Sequence, residues 1–227
     1  MNNLRLRFIK TGRSVYISHL DLLHTIQRSF SRAGIPLAHS EGFNPHPATS
    51  IALPLSLGQE SICEIIDFKL ITGFKTDLSS ITESLNKVLP EGIEIIETYE
   101  PNRKIIDLKF LEISGVLEYD NRRVESKSLN EFFKNKEIII NKKSKSGIKE
   151  FDVKNAISEL SFYDNNLAVF SSEIKFNAII SAQNPTLNPE MLIESFRQLN
   201  PILLPDYYSF KRIETYDSDM KVFRWLE

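Results

Sequence analysis

The run Ser18-His19-Leu20-Asp21-Leu22-Leu23-His24-Thr25-Ile26-Gln27-Arg28-Ser29-Phe30-Ser31-Arg32-Ala33-Gly34-Ile35-Pro36 carries the period that decides the fold. Leu22, Leu23, Ile26, Phe30 and Ala33 fall on one face at helical spacing, so residues 19–33 read as an amphipathic helix. Ser18 is a good N-cap, and Ser18-x-x-Asp21 is close to a capping box. Gly34 and then Pro36 stop the helix. Upstream, Leu4, Leu6 and Phe8 alternate with Arg5, Arg7 and Ile9, the two-residue period of a strand over 3–9. Downstream come a loop through Gly42-Phe43-Asn44-Pro45-His46-Pro47, an apolar segment at 49–55 and a strand at 62–71. A second helix over 77–89 places Leu78, Ile81, Leu85, Val88 and Leu89 together and ends at Pro90; a strand at 93–99 follows. This order, β-α-β-β-α-β, is the ferredoxin-like pattern.

The second half repeats the order without repeating the letters. A strand is expected over 108–119, then a short helix opened by the capping box Ser128-x-x-Glu131. Strands are expected near 137–141 and 155–163, with Asn165-Asn166 turning the chain into a return strand over 167–180. Asn188 caps a helix with Pro189 at its first position and Leu192, Ile193, Phe196 and Leu199 inward; a last strand covers 208–216. The fold class expected is α+β, two tandem ferredoxin-like domains, the second irregular. They span 1–103 and 104–227, joined near Pro101–Lys104.

A chain of 227 residues that is 41% hydrophobic and 26% charged can bury a real core. No stretch approaches the roughly 20 apolar residues of a membrane span. The N-terminus enters a strand directly and has no signal-peptide core. Cys63 is the single cysteine, which excludes an internal disulfide and an iron–sulfur cluster held by several cysteines of this chain. A cytoplasmic protein is expected. The net charge of −2 is uneven: Arg5, Arg7, Lys10, Arg13, Arg28 and Arg32 face three acids in the first 60 residues, a local +3. A second basic cluster runs Lys134, Lys136, Lys142, Lys143, Lys145, Lys149. Both suit phosphate, and both also suit a solvated surface.

All four histidines, His19, His24, His39 and His46, lie in the first 46 residues, without a strong metal spacing. His19 falls on the apolar helix face, where a neutral imidazole serves as ligand, general base or plain core residue. Asp21 is accounted for by capping. The Ser40–Pro47 loop is the least generic segment. Prolines flank His46 and Gly42 permits a sharp turn, so Phe43, Asn44 and His46 form a stiff set that stacks on a base and reads its edge, or a connector with Phe43 plugged into the core. Phosphate-binding Gly-rich loops and a Gly-x-Ser-x-Gly elbow are absent from the sequence.

The segments Tyr16-Ile17-Ser18-His19-Leu20-Asp21-Leu22, Arg28, Ala33-Gly34-Ile35-Pro36-Leu37-Ala38 and Ser40-Glu41-Gly42-Phe43-Asn44-Pro45-His46-Pro47 resemble the signature of the radical SAM-linked protein family. Leu53-Pro54-Leu55 with Gly58, then Glu64 with Asp67, continue the likeness, and Arg212-Ile213-Glu214-Thr215-Tyr216 resembles its closing strand. His24 and His39 depart from that pattern. The resemblance implies a radical SAM protein as partner, encoded beside or fused to the family's members and carrying the iron–sulfur cluster, with this chain supplying recognition or a second active site; no cofactor is expected for this chain itself.

Two functions are therefore expected as alternatives. One is an accessory subunit that binds RNA, through Arg5, Arg7, Arg28, Arg32 and the Lys142–Lys145 loop, and presents it to a radical SAM modification enzyme. Arg28, Ser40, Phe43, Asn44 and Arg212 are its expected substrate-binding residues. The other is a small hydrolytic or metal-assisted RNA-processing enzyme. In it His19, Asp21 and His46 are catalytic candidates, and His19 and His46 are metal candidates. It requires the 15-residue stretch Ile35–Thr49 to run back across the sheet and bring His46 to His19.

Overall fold

The computed structural model describes residues 3–144, 147–168 and 171–223, an α+β chain of two compact units that join between Asp107 and Leu108. The junction lies past Pro101–Lys104. Residues 105–107 add a short helical turn, Ile105–Asp107, to the first unit.

In the first unit, β1 (Asn3–Lys10), α1 (His19–Arg32), β2 (Thr49–Ile51), β3 (Glu60–Lys69), α2 (Leu78–Asn86) and β4 (Ile93–Tyr99) follow one another. The strands lie in the order β4-β1-β3-β2, each antiparallel to its neighbour. The alternation seen in the sequence sends Leu4, Leu6 and Phe8 to the helix-covered face, where they pack with Leu22, Ile26, Phe30, Ile81 and Leu85. Phe30 is wholly buried, its ring 4.9 Å from that of Phe68. Each large apolar side chain so buried contributes about 1.5–3 kcal/mol against the entropy of ordering. Cys63 is buried at 2% exposure, on the face of β3 that alternates with Ile66 and Phe68.

The second unit runs β5 (Phe110–Asp120), α3 (Ser126–Phe132), β6 (Ile139–Ser144), β7 (Gly147–Asp152), β8 (Ile157–Leu167), β9 (Ser171–Ser181), α4 (Glu190–Leu199) and β10 (Tyr207–Tyr216). Its sheet has the order β10-β5-β9-β8, again antiparallel throughout, and β6 with β7 forms a separate hairpin. Phe133, Phe162, Phe176 and Phe196 form an aromatic core. Gly115 admits it: a Cβ there would stand 2.3 Å from the Phe176 ring.

Three local expectations change. The helix α3 opens at Ser126, not at Ser128, because Asp164 on β8 accepts the Ser126 N–H at 2.7 Å and caps the helix from across the fold. Asn165-Asn166 does not turn the chain. A bulge between Asp164 and Asn166 absorbs the extra residue, and the ladder continues to Leu167 opposite Ser172. The lysine-rich stretch read as a loop is the hairpin β6-β7, with Lys142 directly opposite Lys149. Lys145 and the Lys143 side chain lie outside the described residues.

Three side-chain amides close strand edges. Asn86 at the end of α2 donates to Ile95 O at 2.8 Å and accepts the Ile95 N–H at 2.8 Å. Asn130 of α3 treats Phe162 of β8 in the same way, at 2.8 and 3.1 Å. Gln198 of α4 does so for Asn141 of β6, at 3.1 and 2.8 Å. Each amide stands in for the next strand, so the outward N–H and C=O of that residue are satisfied.

Candidate functional site

The connection from α1 to β2 builds the site. After Gly34 the chain pairs Leu37 with Leu70, and Ala38 N–H donates to Lys69 O at 2.8 Å. It returns to the same place, where Lys69 N–H donates to Ala48 O at 3.1 Å. Between these points the loop closes on itself. His39 bridges Pro47, Ala48 N–H donates to Ala38 O, and Ser40 N–H donates to His46 O at 2.8 Å. The Ser40 hydroxyl accepts the His46 N–H at 3.2 Å and shares a 2.8 Å hydrogen bond with His46 Nδ1. Gly42, at φ +129°, makes the tip that an L side chain rarely adopts. Phe43 stands at that tip with its ring fully in solvent, at 111% exposure. Of the two readings of this loop, the one that plugs Phe43 into the core is excluded.

A cavity of about 580 Å³ lies at the base of the loop. Arg28 and Ser31, one turn apart on α1, line one side; Pro36 and Leu37 line the turn after the helix; His39 and Pro47 line the loop base. Gln27 anchors the arrangement by donating to Thr49 Oγ1 at 2.8 Å. The fold thus gathers Arg28, Ser40, Phe43, Asn44 and His46 at one end of the first unit. His39, set aside at the sequence level for departing from the family pattern, is a wall of the cavity. Its signal was the position it shares with Pro47, flanking the loop symmetrically.

His19 and Asp21 are placed elsewhere. They open α1, whose 14 residues rise about 1.5 Å each, roughly 20 Å in all. The Ser18 hydroxyl accepts the Asp21 N–H at 3.2 Å and donates to the Asp21 carboxylate at 2.7 Å, so Asp21 acts as a cap partner. The helix start is tied to the Lys10–Ser61 end of the sheet, where Lys10 Nζ donates to Val15 O and Ile17 O. The His46 loop is tied to the opposite end, at Lys69 and Leu70. His46 therefore does not return to His19, because the long connection spends its length on a closed hairpin rather than on a path across the sheet. His19 is half-buried, and its Nδ1 has no hydrogen-bond partner among the described residues. Among those residues no group of three or more His, Cys, Asp or Glu is placed to hold a metal ion.

The basic residues separate into occupied and open ones. Arg5 is 2% exposed and grips Asp67 with two hydrogen bonds, at 2.5 and 3.0 Å. Burial works against its charge, but Asp67 and Tyr99 outweigh it and hold Arg5 above its ordinary pKa. Burial in turn pushes the Tyr99 phenol up to about 12. Lys10, 1% exposed, is lowered by burial, with the Glu64 charge opposing. Arg7 donates to Ile62 O, and Arg32 to Val88 O and to Ser29 Oγ. Arg5 is thus engaged within the fold, and Arg7 is partly so, its Nε without a hydrogen-bond partner among the described residues. Arg28 is exposed, and its side chain, like that of His39, makes no hydrogen bond or ion pair among the described residues. Arg212 belongs to the second unit, on β10 opposite Ile113, at 9% exposure.

Over residues 3–189 the sequence matches the family described as "Uncharacterized protein conserved in bacteria" (DUF2344). No curated protein matches it. Among solved structures, a chain of the "Crystal Structure of a Cbf5-Nop10-Gar1 Complex" is similar with a TM-score of 0.49 at 6% identity. The likeness covers 93% of this chain, which spans 48% of that one. No helix among the described residues is long and apolar enough to cross a membrane.

Proposed function

We propose that this chain, which belongs to the bacterial DUF2344 family, is a cytoplasmic RNA-binding accessory subunit that presents RNA to a radical SAM modification enzyme. The partner comes from the resemblance of its Ser-His-Leu-Asp and Gly-Phe-Asn-Pro-His-Pro segments to the radical SAM-linked family. We read both units as ferredoxin-like, on their shared strand order and two helices.

One observation carries the RNA reading: Phe43 is presented to solvent on a loop that is already rigid. Exposing a phenylalanine forgoes about 1.5–3 kcal/mol of burial, and a hydrogen-bonded frame keeps it from folding back. A base stacking on such a ring recovers that area with little further loss of entropy. Arg28 and His39 at the loop base offer charge and donors to the strand that carries the base.

The test is fluorescence anisotropy with a labelled single-stranded RNA of about twelve nucleotides, within the usual site size of such modules. Phe43→Ala should weaken binding by about 1–3 kcal/mol, and Phe43→Tyr should retain it. A wild-type chain that shows no saturable binding at low salt would end this reading.

A further inference from the structure

We infer that the cavity between α1 and the base of the 39–47 loop seats one nucleotide of the RNA strand, its phosphate held by Arg28 and His39 and its base laid on Pro36, Leu37 and Pro47. The inference rests on the RNA-binding reading and names the ligand of the same site. A volume of about 580 Å³ lies inside the roughly 300–1,000 Å³ range of small-molecule sites. Its chemistry is divided. Leu37, at 8% exposure, and the two proline rings give an apolar wall, while Arg28, Ser31 and His39 give a polar rim.

The basic side chains of this unit differ in what they engage. Arg5 and Arg32 are committed to Asp67 and to Val88 O respectively, whereas Arg28 and His39 face one cavity without a partner among the described residues. A guanidinium fork beside an imidazole suits phosphate oxygens, which accept several donors at once. An anion alone would leave the apolar wall wet, and a free base alone would leave the two donors unused. A nucleotide answers both. Phe43 is four residues from His39 along the loop, at its tip, and takes a neighbouring base of the same strand.

The full chain is titrated by calorimetry with each of the four ribonucleoside 5′-monophosphates, with the matching nucleosides and with inorganic phosphate. At least one monophosphate should saturate the protein, and its nucleoside and inorganic phosphate should each bind about tenfold more weakly or worse. Arg28→Ala should cost about tenfold, as one charge-assisted contact is lost. Arg32→Ala should change nothing, and Phe43→Ala should weaken the RNA oligomer while leaving the monophosphate alone. Unchanged melting temperatures of the Arg28 and Phe43 variants certify the fold, and any loss of stability in Arg32→Ala should leave its monophosphate affinity untouched. If no monophosphate binds in the millimolar range while the oligomer still depends on Phe43, the cavity is not a nucleotide site and the RNA reading stands. Monophosphate binding that is indifferent to Arg28→Ala overturns the assignment equally. If neither monophosphate nor oligomer binds, both fail.

Discussion

The two units elaborate the same connection in opposite ways. In each, the excursion leaves the first helix and returns at the second strand of the sheet: residues 33–48 in one unit, residues 133–156 in the other. The first unit makes a compact, proline-flanked hairpin with an exposed aromatic tip. The second makes a two-stranded ribbon on which Lys142 lies directly opposite Lys149 and leans over the Phe151 ring at 5.2 Å. Like charges opposed across a ladder cost stability, so the ribbon keeps a repulsion that an anion would relieve. Each excursion is rooted in buried residues, Ile35 and Leu37 in the first unit and Ile138 and Ile140 in the second, and the two differ beyond that base. The difference is one of chemistry: an exposed aromatic ring in the first unit, opposed lysines in the second.

If the units are parallel in construction, their cores should fail in parallel. Phe30→Ala and Phe196→Ala each remove a wholly buried ring, and each should cost about 3–5 kcal/mol in urea melts. A loss under about 1 kcal/mol at either position would break the parity. The amide clamps should follow at smaller size. Asn86→Ala strands the outward groups of Ile95, and Asn130→Ala those of Phe162, for about 1–3 kcal/mol each. A cost at one position and none at the other would mean that only one edge is closed this way. The contrast between the excursions is sharpened by salt. Lys149→Ala should flatten the slope of log K against log salt by about 0.7 for a single strand, whereas Phe43→Ala should lower affinity with the slope unchanged. A slope that both or neither alter would erase the distinction.

The elements were legible in the sequence wherever period and punctuation agreed. The run Leu22–Ala33 between Ser18 and Gly34 and the alternation over Leu4–Phe8 are examples, and both sit where they were read. Elements that depend on remote partners were not. Ser128 looked like the better cap, but Asp164, 38 residues away from Ser126, supplies the actual one. The ribbon was hidden because its lysines and Gly147 have the composition of a loop, and only pairing makes them strands. At the candidate site, the stiffness of residues 40–47 was visible in Gly42, Pro45 and Pro47. The direction of the loop was not, since it depends on backbone bonds to Lys69 that carry no side-chain signature. That is why the expected meeting of His19 and His46 fails while Arg28 and the loop do converge.

The paired amides have one further consequence. Along a strand edge, a residue that offers both its N–H and its C=O outward alternates with one that offers neither. An amide on a helix can therefore seat itself on Ile95 but finds nothing at the next residue, and the next acceptable seat lies about 6.6 Å away. Apolar packing tolerates small slides; this bond does not. Asn86, Asn130 and Gln198 thus serve as index pins that set how far each helix is advanced along the strand beside it. Hydrophobic burial decides that the layers stick, and three side-chain amides decide at which notch they stop.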